Sequence, residues 1–198
     1  YFEPLGIGLI IAPWNYPFQL TINPLIGAIS AGCCAVLKPS PDTPNVARVI
    51  KEMISEFFPS EYISVVQGGK EANQELFKFP FDVMFFTGSP GVGKTVMKAA
   101  AEHLSRVVLE LGGKSPCIVD KAANLKIAGK RIAWGKIINA DQTCIASNYL
   151  LVHKDINKDL LAEISKSFEE MLGDNIANSN HYGRIVNPNA MNRLMKYL

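Results

Sequence analysis

The sequence predicts an α/β fold built on a mainly parallel sheet. Short apolar runs alternate along the chain with longer segments in which apolar residues recur every three or four positions. Runs of the first kind are typical of buried strands, and the 3.6-residue period is typical of amphipathic helices. Repeated alternation of strand and helix indicates an α/β domain, in which ligands bind at the carboxyl ends of the parallel strands.

The first 111 residues carry five predicted strands, at residues 5–12, 35–37, 63–66, 83–86 and 107–111. Between them, helices are predicted at residues 22–32, after Thr43, and at about residues 92–104. Thr43 precedes Pro44, and this pair is typical of a helix N-cap with proline at the first helical position. The helix that follows has one apolar face, formed by Val46, Val49, Ile50, Met53, Ile54 and Phe57.

The turn-rich stretch LGGKSP at residues 111–116 is the best candidate for a domain boundary. Beyond it the alternation restarts. Strands are predicted at residues 117–119 and 149–152, and helices at about residues 125–138 and 156–171. The chain is therefore divided into residues 1–111 and residues 112–198.

Composition excludes several classes of function. The 198 residues are 48% hydrophobic and 19% charged, which suits a globular chain, and the formal net charge is only +2. This charge gives no reason to expect nucleic acid or an anionic membrane surface as a partner, and no apolar run approaches the roughly 20 residues of a membrane span. Neither terminus has the pattern of a natural chain end, so we expect a segment of a longer protein.

The cysteine pattern predicts neither a metal site nor a disulfide framework. The four cysteines form no C-x-x-C pair and no cluster with histidine. Cys33 and Cys34 are adjacent, while Cys117 and Cys144 lie in unlike contexts. A reducing, cytoplasmic location is therefore expected.

One glycine-rich stretch raises the possibility of a nucleotide triphosphatase. Residues 88–95 read GSPGVGKT, which satisfies the P-loop pattern G-x-x-x-x-G-K-[ST] and follows an apolar run. In such a protein a metal ion accompanies the nucleotide, and Asp120, which follows the apolar residues Ile118 and Val119, could hold it. However, Pro90 removes one backbone N–H from the loop that would surround the phosphates. A P-loop NTPase therefore stays open as an alternative at this point.

Three further stretches indicate different chemistry. They read APWNYPF at residues 12–18, LELGGKSP at residues 109–116 and QTCIA at residues 142–146. Together they supply a side-chain amide, a carboxylate and a thiol, each beside the end of a predicted strand or helix. These groups are the components of a covalent acyl-transfer site.

With LKPS at residues 37–40, FTGSPGVGK at 86–94 and RIAWGK at 131–136, these stretches resemble the aldehyde dehydrogenases, most closely the class 3 (fatty and aromatic aldehyde) branch. The resemblance implies a Rossmann-like NAD(P)-binding domain up to residue 111 and the start of a second α/β catalytic domain from residue 112. It also implies an aldehyde substrate, NAD or NADP as cofactor, and a homodimer of the full-length protein. Activity is expected of the intact protein rather than of this segment alone.

The resemblance assigns three catalytic residues. Cys144 would attack the aldehyde, giving a thiohemiacetal and then a thioester, and the Asn15 amide would donate to the oxyanion. Glu110 would activate the water that hydrolyses the thioester, and its neighbours Leu109 and Leu111 would make it a stronger base. The residues alone also allow a buried structural cysteine, a turn-forming asparagine and a solvated glutamate. Cys33, Cys34 and Cys117 are expected to be structural.

The resemblance also assigns the cofactor contacts. They comprise Trp14, Lys38 and the loop residues Gly88, Ser89, Pro90, Gly91, Val92 and Gly93. Glycines let the backbone approach a ligand, and the N-terminus of the following helix favours phosphate. The alternative interpretations are an ordinary solvated lysine at position 38 and a core aromatic residue at position 14.

Two positions depart from the family pattern. Pro41 replaces the glutamate that usually follows LKPS and accepts hydrogen bonds from the adenosine ribose, so we expect NADP to be used at least as well as NAD. Asp141 replaces the usual glycine of GQTC, and its charge is expected to oppose thiolate formation at Cys144. These departures leave open a catalytically decayed homologue with a structural or binding role.

Overall fold

The computed structural model describes residues 3–197 and divides into two compact units, the first ending at Gly112 and the second beginning at Gly113. The boundary predicted from the sequence lies one residue earlier. Assignment of the two units as a cofactor domain and a catalytic domain stays a prediction.

The first unit is a five-stranded parallel sheet, which confirms the predicted fold class. Its strands are β1 (Ile7–Ile11), β2 (Cys34–Lys38), β3 (Ile63–Val65), β4 (Val83–Thr87) and β5 (Arg106–Glu110), in the order β3-β2-β1-β4-β5. The connections contain α1 (Gln19–Ser30), α2 (Pro44–Phe57), α3 (Lys70–Leu76) and α4 (Pro90–His103). The chain order reverses between β1 and β4, and a crevice forms at this type of switch point in open parallel sheets.

Side-chain alternation along β1 explains why helices cover both faces of the sheet. Leu9 and Ile11 join a core cluster that includes Val96 of α4. Ile10, between them, points to the opposite face and joins a cluster that includes Ile50 of α2. Because successive strand residues face opposite sides, an all-apolar strand must be buried on both.

Several element boundaries differ from the predicted ones for local reasons. Helix α1 begins at Gln19 and contains Pro24, and α4 begins at Pro90 because the Ser89 hydroxyl accepts a hydrogen bond from the Val92 amide at 3.4 Å. Helix α3 was not predicted, since its sequence KEANQEL has a single fully buried residue, Leu76, and so no apolar period.

The second unit pairs two parallel strands and packs two long helices beside them. It contains β6 (Ser115–Val119), β7 (Ser147–Val152), α5 (Leu125–Ile137), α6 (Asn157–Leu172) and the short α7 (Pro188–Leu194). Val119 of β6 and Leu160 and Ile164 of α6 form its core. Within residues 3–197, none of the helices combines the length and apolar character that crossing a membrane requires.

Candidate active site

The predicted site residues of the first unit lie at one edge of the sheet. Trp14 and Asn15 follow β1, Lys38 ends β2, Gly88 follows β4 and Glu110 ends β5. The strand register aligns these ends, because Ile11 is opposite both Lys38 and Phe86, and Thr87 is opposite Glu110. Four segments that are distant in sequence are thus brought to the carboxyl edge, where parallel sheets bind ligands.

Lys38 is a buried amine rather than the solvated lysine that its sequence context allowed. The residue is 2% exposed, and its Nζ donates to the carbonyl of Pro39 at 3.0 Å. Burial lowers the pKa of Lys38 from its ordinary value of 10.5, because desolvation disfavours the charged form. Burying an ammonium costs folding free energy, and the cofactor-binding role of Lys38 stays a prediction.

We expect Lys38→Met to raise the melting temperature at pH 7 by roughly 2–4 °C, equivalent to about 1 kcal/mol, while weakening cofactor binding. At that pH the unfolded lysine is protonated, so the folded state must either bury the charge or release the proton, and both cost free energy. Stability of the wild type then rises with pH between the lowered folded pKa and 10.5, so the difference between variant and wild type should shrink there. Calorimetry across pH checks this, with Lys98→Met on the exposed side of α4 as control. A difference that grows with pH would contradict it.

The glycine-rich stretch is a tight strand-to-helix turn. Gly88 and Ser89 alone separate β4 from α4, so Gly91 and Gly93 already lie in the first turn of the helix. The Gly88 amide donates to the Glu110 carbonyl at 2.9 Å. A Cβ on Gly88 would lie 2.6 Å from the Phe86 ring, and one on Gly93 would lie 3.1 Å from Leu111.

This geometry does not support the P-loop alternative. A P-loop needs several non-helical residues before its helix to surround the phosphates. Here residues 90–93 are helical, and Lys94 is the fifth residue of α4. The turn does suit a dinucleotide that approaches the helix N-terminus, since Ser89, Pro90, Gly91 and Val92 are exposed and the space beside Gly91 is open.

Trp14 and Asn15 are half-buried in the bend between β1 and α1. The bend leads directly into the helix, whose first turn is joined by hydrogen bonds from the Leu20 amide to the Tyr16 carbonyl and from the Ile22 amide to the Phe18 carbonyl. Asn15 therefore lies on a backbone that is fixed on both sides, by the strand before it and the helix after it.

A cavity of about 410 Å³ lies beyond the carboxyl ends of β2 and β3. Pro41 and Gln67 contribute to its wall, and so does Arg48, which forms an ion pair of 2.8 Å with Glu52 on α2. Position 41 thus faces a space of ligand size.

Glu110 is exposed, and the expected apolar surroundings from its neighbours are wrong. Leu109 and Leu111 pack against the core cluster of β1, β4 and α4, whereas Glu110 projects to the other side of β5. Successive strand residues point to opposite faces, so flanking leucines do not surround the carboxylate. The role of Glu110 as a base stays a prediction.

Cys144 lies in the second unit, on a four-residue turn before β7. The turn is closed by a hydrogen bond from the Ala146 amide to the Thr143 carbonyl at 3.2 Å. Cys144 is exposed, whereas Cys33 is buried and Cys34 and Cys117 are half-buried. A Cβ on Gly113 would collide with the Cys144 carbonyl oxygen, so the segment beside this turn requires glycine.

The residues before Cys144 have an unusual backbone that the sequence did not reveal. Asn139, Ala140 and Asp141 have φ angles of 50°, 51° and 63°, in the left-handed region. The Asp141 carboxylate accepts a hydrogen bond from Lys136 Nζ at 2.8 Å. The ammonium of Lys136 thus lies beside the Asp141 carboxylate, and the expected effect of that carboxylate on Cys144 stays a prediction.

A metal centre finds no support in the part of the chain that the structure describes. Among residues 3–197, no group of three or more histidine, cysteine, aspartate or glutamate side chains is placed to hold a metal ion.

Comparison with known proteins gives one consistent result. The model of the aldehyde dehydrogenase family matches residues 1–198. The 4,4'-diaponeurosporen-aldehyde dehydrogenase of Staphylococcus aureus is 56% identical over 99% of this chain, which corresponds to 43% of that protein. A dimeric, NADP-preferring aldehyde dehydrogenase of Mus musculus is 44% identical, again over 99% of this chain and 43% of the relative.

A solved structure shows the same likeness. The substrate-bound state of Staphylococcus aureus AldH superimposes with a TM-score of 0.93 at 55% identity and covers 99% of this chain and 43% of its own. The chain thus spans less than half the length of these relatives.

Proposed function

Because the chain belongs to the aldehyde dehydrogenase family, we propose that the intact protein oxidises an aldehyde to a carboxylic acid with NAD or NADP as cofactor. The observation that carries the proposal is the exposed Cys144 on its fixed turn, within a chain that the family model matches from end to end. The other predicted site residues are proposed to stabilise the oxyanion, to activate water or to hold the cofactor.

Cys144 acts as the nucleophile. Its thiolate attacks the aldehyde carbon, so a C–S bond forms and the carbonyl oxygen becomes an oxyanion, to which the Asn15 side-chain amide donates. NAD or NADP would supply the hydride acceptor, and loss of hydride from this carbon leaves a thioester on Cys144. Trp14, Lys38 and the turn from Gly88 to Gly93 hold the cofactor.

Glu110 acts as the general base of the second half-reaction. It takes a proton from a water molecule, whose oxygen attacks the thioester carbon while the C–S bond breaks. The acid is released and the thiolate is regenerated. The position of Glu110 at the end of β5, at the carboxyl edge of the sheet, supports this role.

We propose that Pro41 and the residues around it determine the preference between NAD and NADP. A proline cannot accept the ribose hydrogen bonds that a glutamate would, and it does not repel a 2′-phosphate. The Arg48 guanidinium in the same cavity wall is a group that binds phosphate well. The mouse relative is named as NADP-preferring.

The substrate is proposed to be an apolar aldehyde, of the medium-chain aliphatic or aromatic kind. The Staphylococcus aureus relative is named for 4,4'-diaponeurosporen-aldehyde, and the mouse relative for being dimeric. We therefore also propose a homodimer. The free cysteines favour a reducing, cytoplasmic location.

The test is formation of NADH and NADPH by the intact protein with hexanal and benzaldehyde. We expect turnover with both cofactors and a kcat/KM for NADP at least equal to that for NAD. A preference for NAD of roughly tenfold or more would contradict the role of Pro41. No turnover, with Cys144 inert to iodoacetamide, would favour the decayed homologue.

A further inference from the structure

The three residues that lead to Cys144 adopt a backbone conformation that needs external support. Asn139, Ala140 and Asp141 are consecutive left-handed residues, and none is glycine. L-residues adopt this region at an energetic cost, and asparagine tolerates it better than alanine. Such a conformation persists where surrounding contacts over-determine it.

The first support is the ion pair between Asp141 and Lys136. Lys136 lies in the last turn of α5, and its Nζ is 2.8 Å from Asp141 Oδ2. The two side chains are 28% and 41% exposed, so the pair is partly shielded from solvent. It connects the third left-handed residue back to the helix that precedes the turn.

The second support is the side-chain amide of Gln142. Its Nε2 donates to the carbonyl of Asn139 at 2.9 Å and to the carbonyl of Arg184 at 3.1 Å. Its Oε1 accepts from the Val186 amide at 3.0 Å. This one side chain thus bonds back to Asn139, the first left-handed residue. It also joins the left-handed run to a segment more than forty residues away in sequence.

The segment that Gln142 binds is itself fixed by Arg184. The guanidinium donates to the carbonyls of Ala177 at 2.7 Å, Ser179 at 3.3 Å and Tyr182 at 2.5 Å. Arginine presents a rigid fork of donors, so these three carbonyls are held in one arrangement. The backbone that receives Gln142 is therefore an ordered anchor.

We propose that Asp141 and Gln142 are positioning residues for Cys144. Lys136, through Asp141, and the backbone of residues 184–186, through Gln142, hold the left-handed run and so fix where the Cys144 thiol lies. The proposal rests on the proposed function, because only a thiol that reacts with a substrate needs a fixed position. It also accounts for an aspartate where the resemblance leads one to expect glycine, because the ion pair replaces the backbone freedom that glycine would provide.

The test compares kcat, KM and thiol reactivity in variants of the intact protein. Gln142→Ala should lower kcat roughly 10- to 100-fold, with the KM for cofactor changed less than about twofold, because misplacing a reacting group by an ångström has effects of this size. Asp141→Ala and Lys136→Met should each lower kcat roughly fivefold, the smaller effect of a partly screened pair. Lys166→Met, which breaks the exposed pair with Glu170 on α6, is the matched control and should leave kcat unchanged.

Asp141→Gly separates positioning from general stability. It removes the ion pair as Asp141→Ala does, but glycine adopts a positive φ without strain, so kcat should recover at least partly relative to Asp141→Ala. If Gln142→Ala does not fold, this pair of variants decides. Equal kcat in the two, or wild-type kcat in both Gln142→Ala and Lys136→Met, would overturn the proposal.

Failure of the proposed function gives a different result. If the wild type oxidises no aldehyde, the dehydrogenase assignment fails, and the positioning proposal is then judged by the rate at which iodoacetamide alkylates Cys144. A changed rate in Gln142→Ala, with Lys166→Met at the wild-type rate, supports it. Equal rates in all of these variants refute it.

Discussion

Replacing Cys144 with alanine is expected to abolish aldehyde-dependent formation of NADH and NADPH, a loss of at least roughly 10⁴-fold in kcat. Alanine cannot form the C–S bond, so the thiohemiacetal from which hydride leaves does not form. The effect should fall on kcat, while cofactor binding to the first unit is retained. Initial rates with hexanal and cofactor titrations by fluorescence measure the two quantities separately.

The other cysteines provide matched controls for this variant. Cys117→Ala and Cys34→Ala change half-buried thiols within strands β6 and β2, and each should keep kcat within about twofold of the wild type. Cys144→Ser keeps the shape of the side chain but places a far weaker nucleophile there, so it should resemble Cys144→Ala. Retained turnover in Cys144→Ala, or its loss in Cys117→Ala with the fold intact, would show that the nucleophile is assigned wrongly.

The sequence was a good guide to the strands and helices with a clear period. The apolar runs at β1 and β4 and the 3.6-residue period of α2 are local signals, and their elements were predicted to within a residue or two. The order of strands in the sheet was not predictable in this way. It depends on pairing between β1 and β4, which are about seventy residues apart, and no local pattern encodes that contact.

The site shows the same division between local and distant information. Lys38 and Glu110 were placed at strand ends correctly, because strand ends are marked by local breaks. The buried state of Lys38 and the support that Gln142 receives from residues 184–186 come from distant contacts. The surroundings of Glu110 differ from the expectation for another reason: its flanking leucines are adjacent in sequence, but the two-residue period of a strand directs them to the opposite face.

Replacing Glu110 with glutamine is expected to separate the two half-reactions. Glutamine has the size of glutamate but cannot take a proton from water, so thioester hydrolysis should slow by roughly 10²- to 10⁴-fold. The first half-reaction needs Cys144 and not this base. The variant should therefore form about one equivalent of NADH or NADPH per site in a rapid burst and then turn over at the slow rate of hydrolysis.

The trapped acyl group makes this prediction specific. After the burst with hexanal, mass spectrometry should find a hexanoyl group on the peptide that contains Cys144, and hydroxylamine, which attacks thioesters without a general base, should restore turnover. Glu102→Gln, an exposed glutamate of α4 in the same unit, is the control and should behave as wild type. A slow rate without burst or acyl-enzyme would place Glu110 before hydride transfer, as a base that activates the thiol. Unchanged turnover would mean that Glu110 is an ordinary solvated residue at a strand end, as its exposure alone suggests.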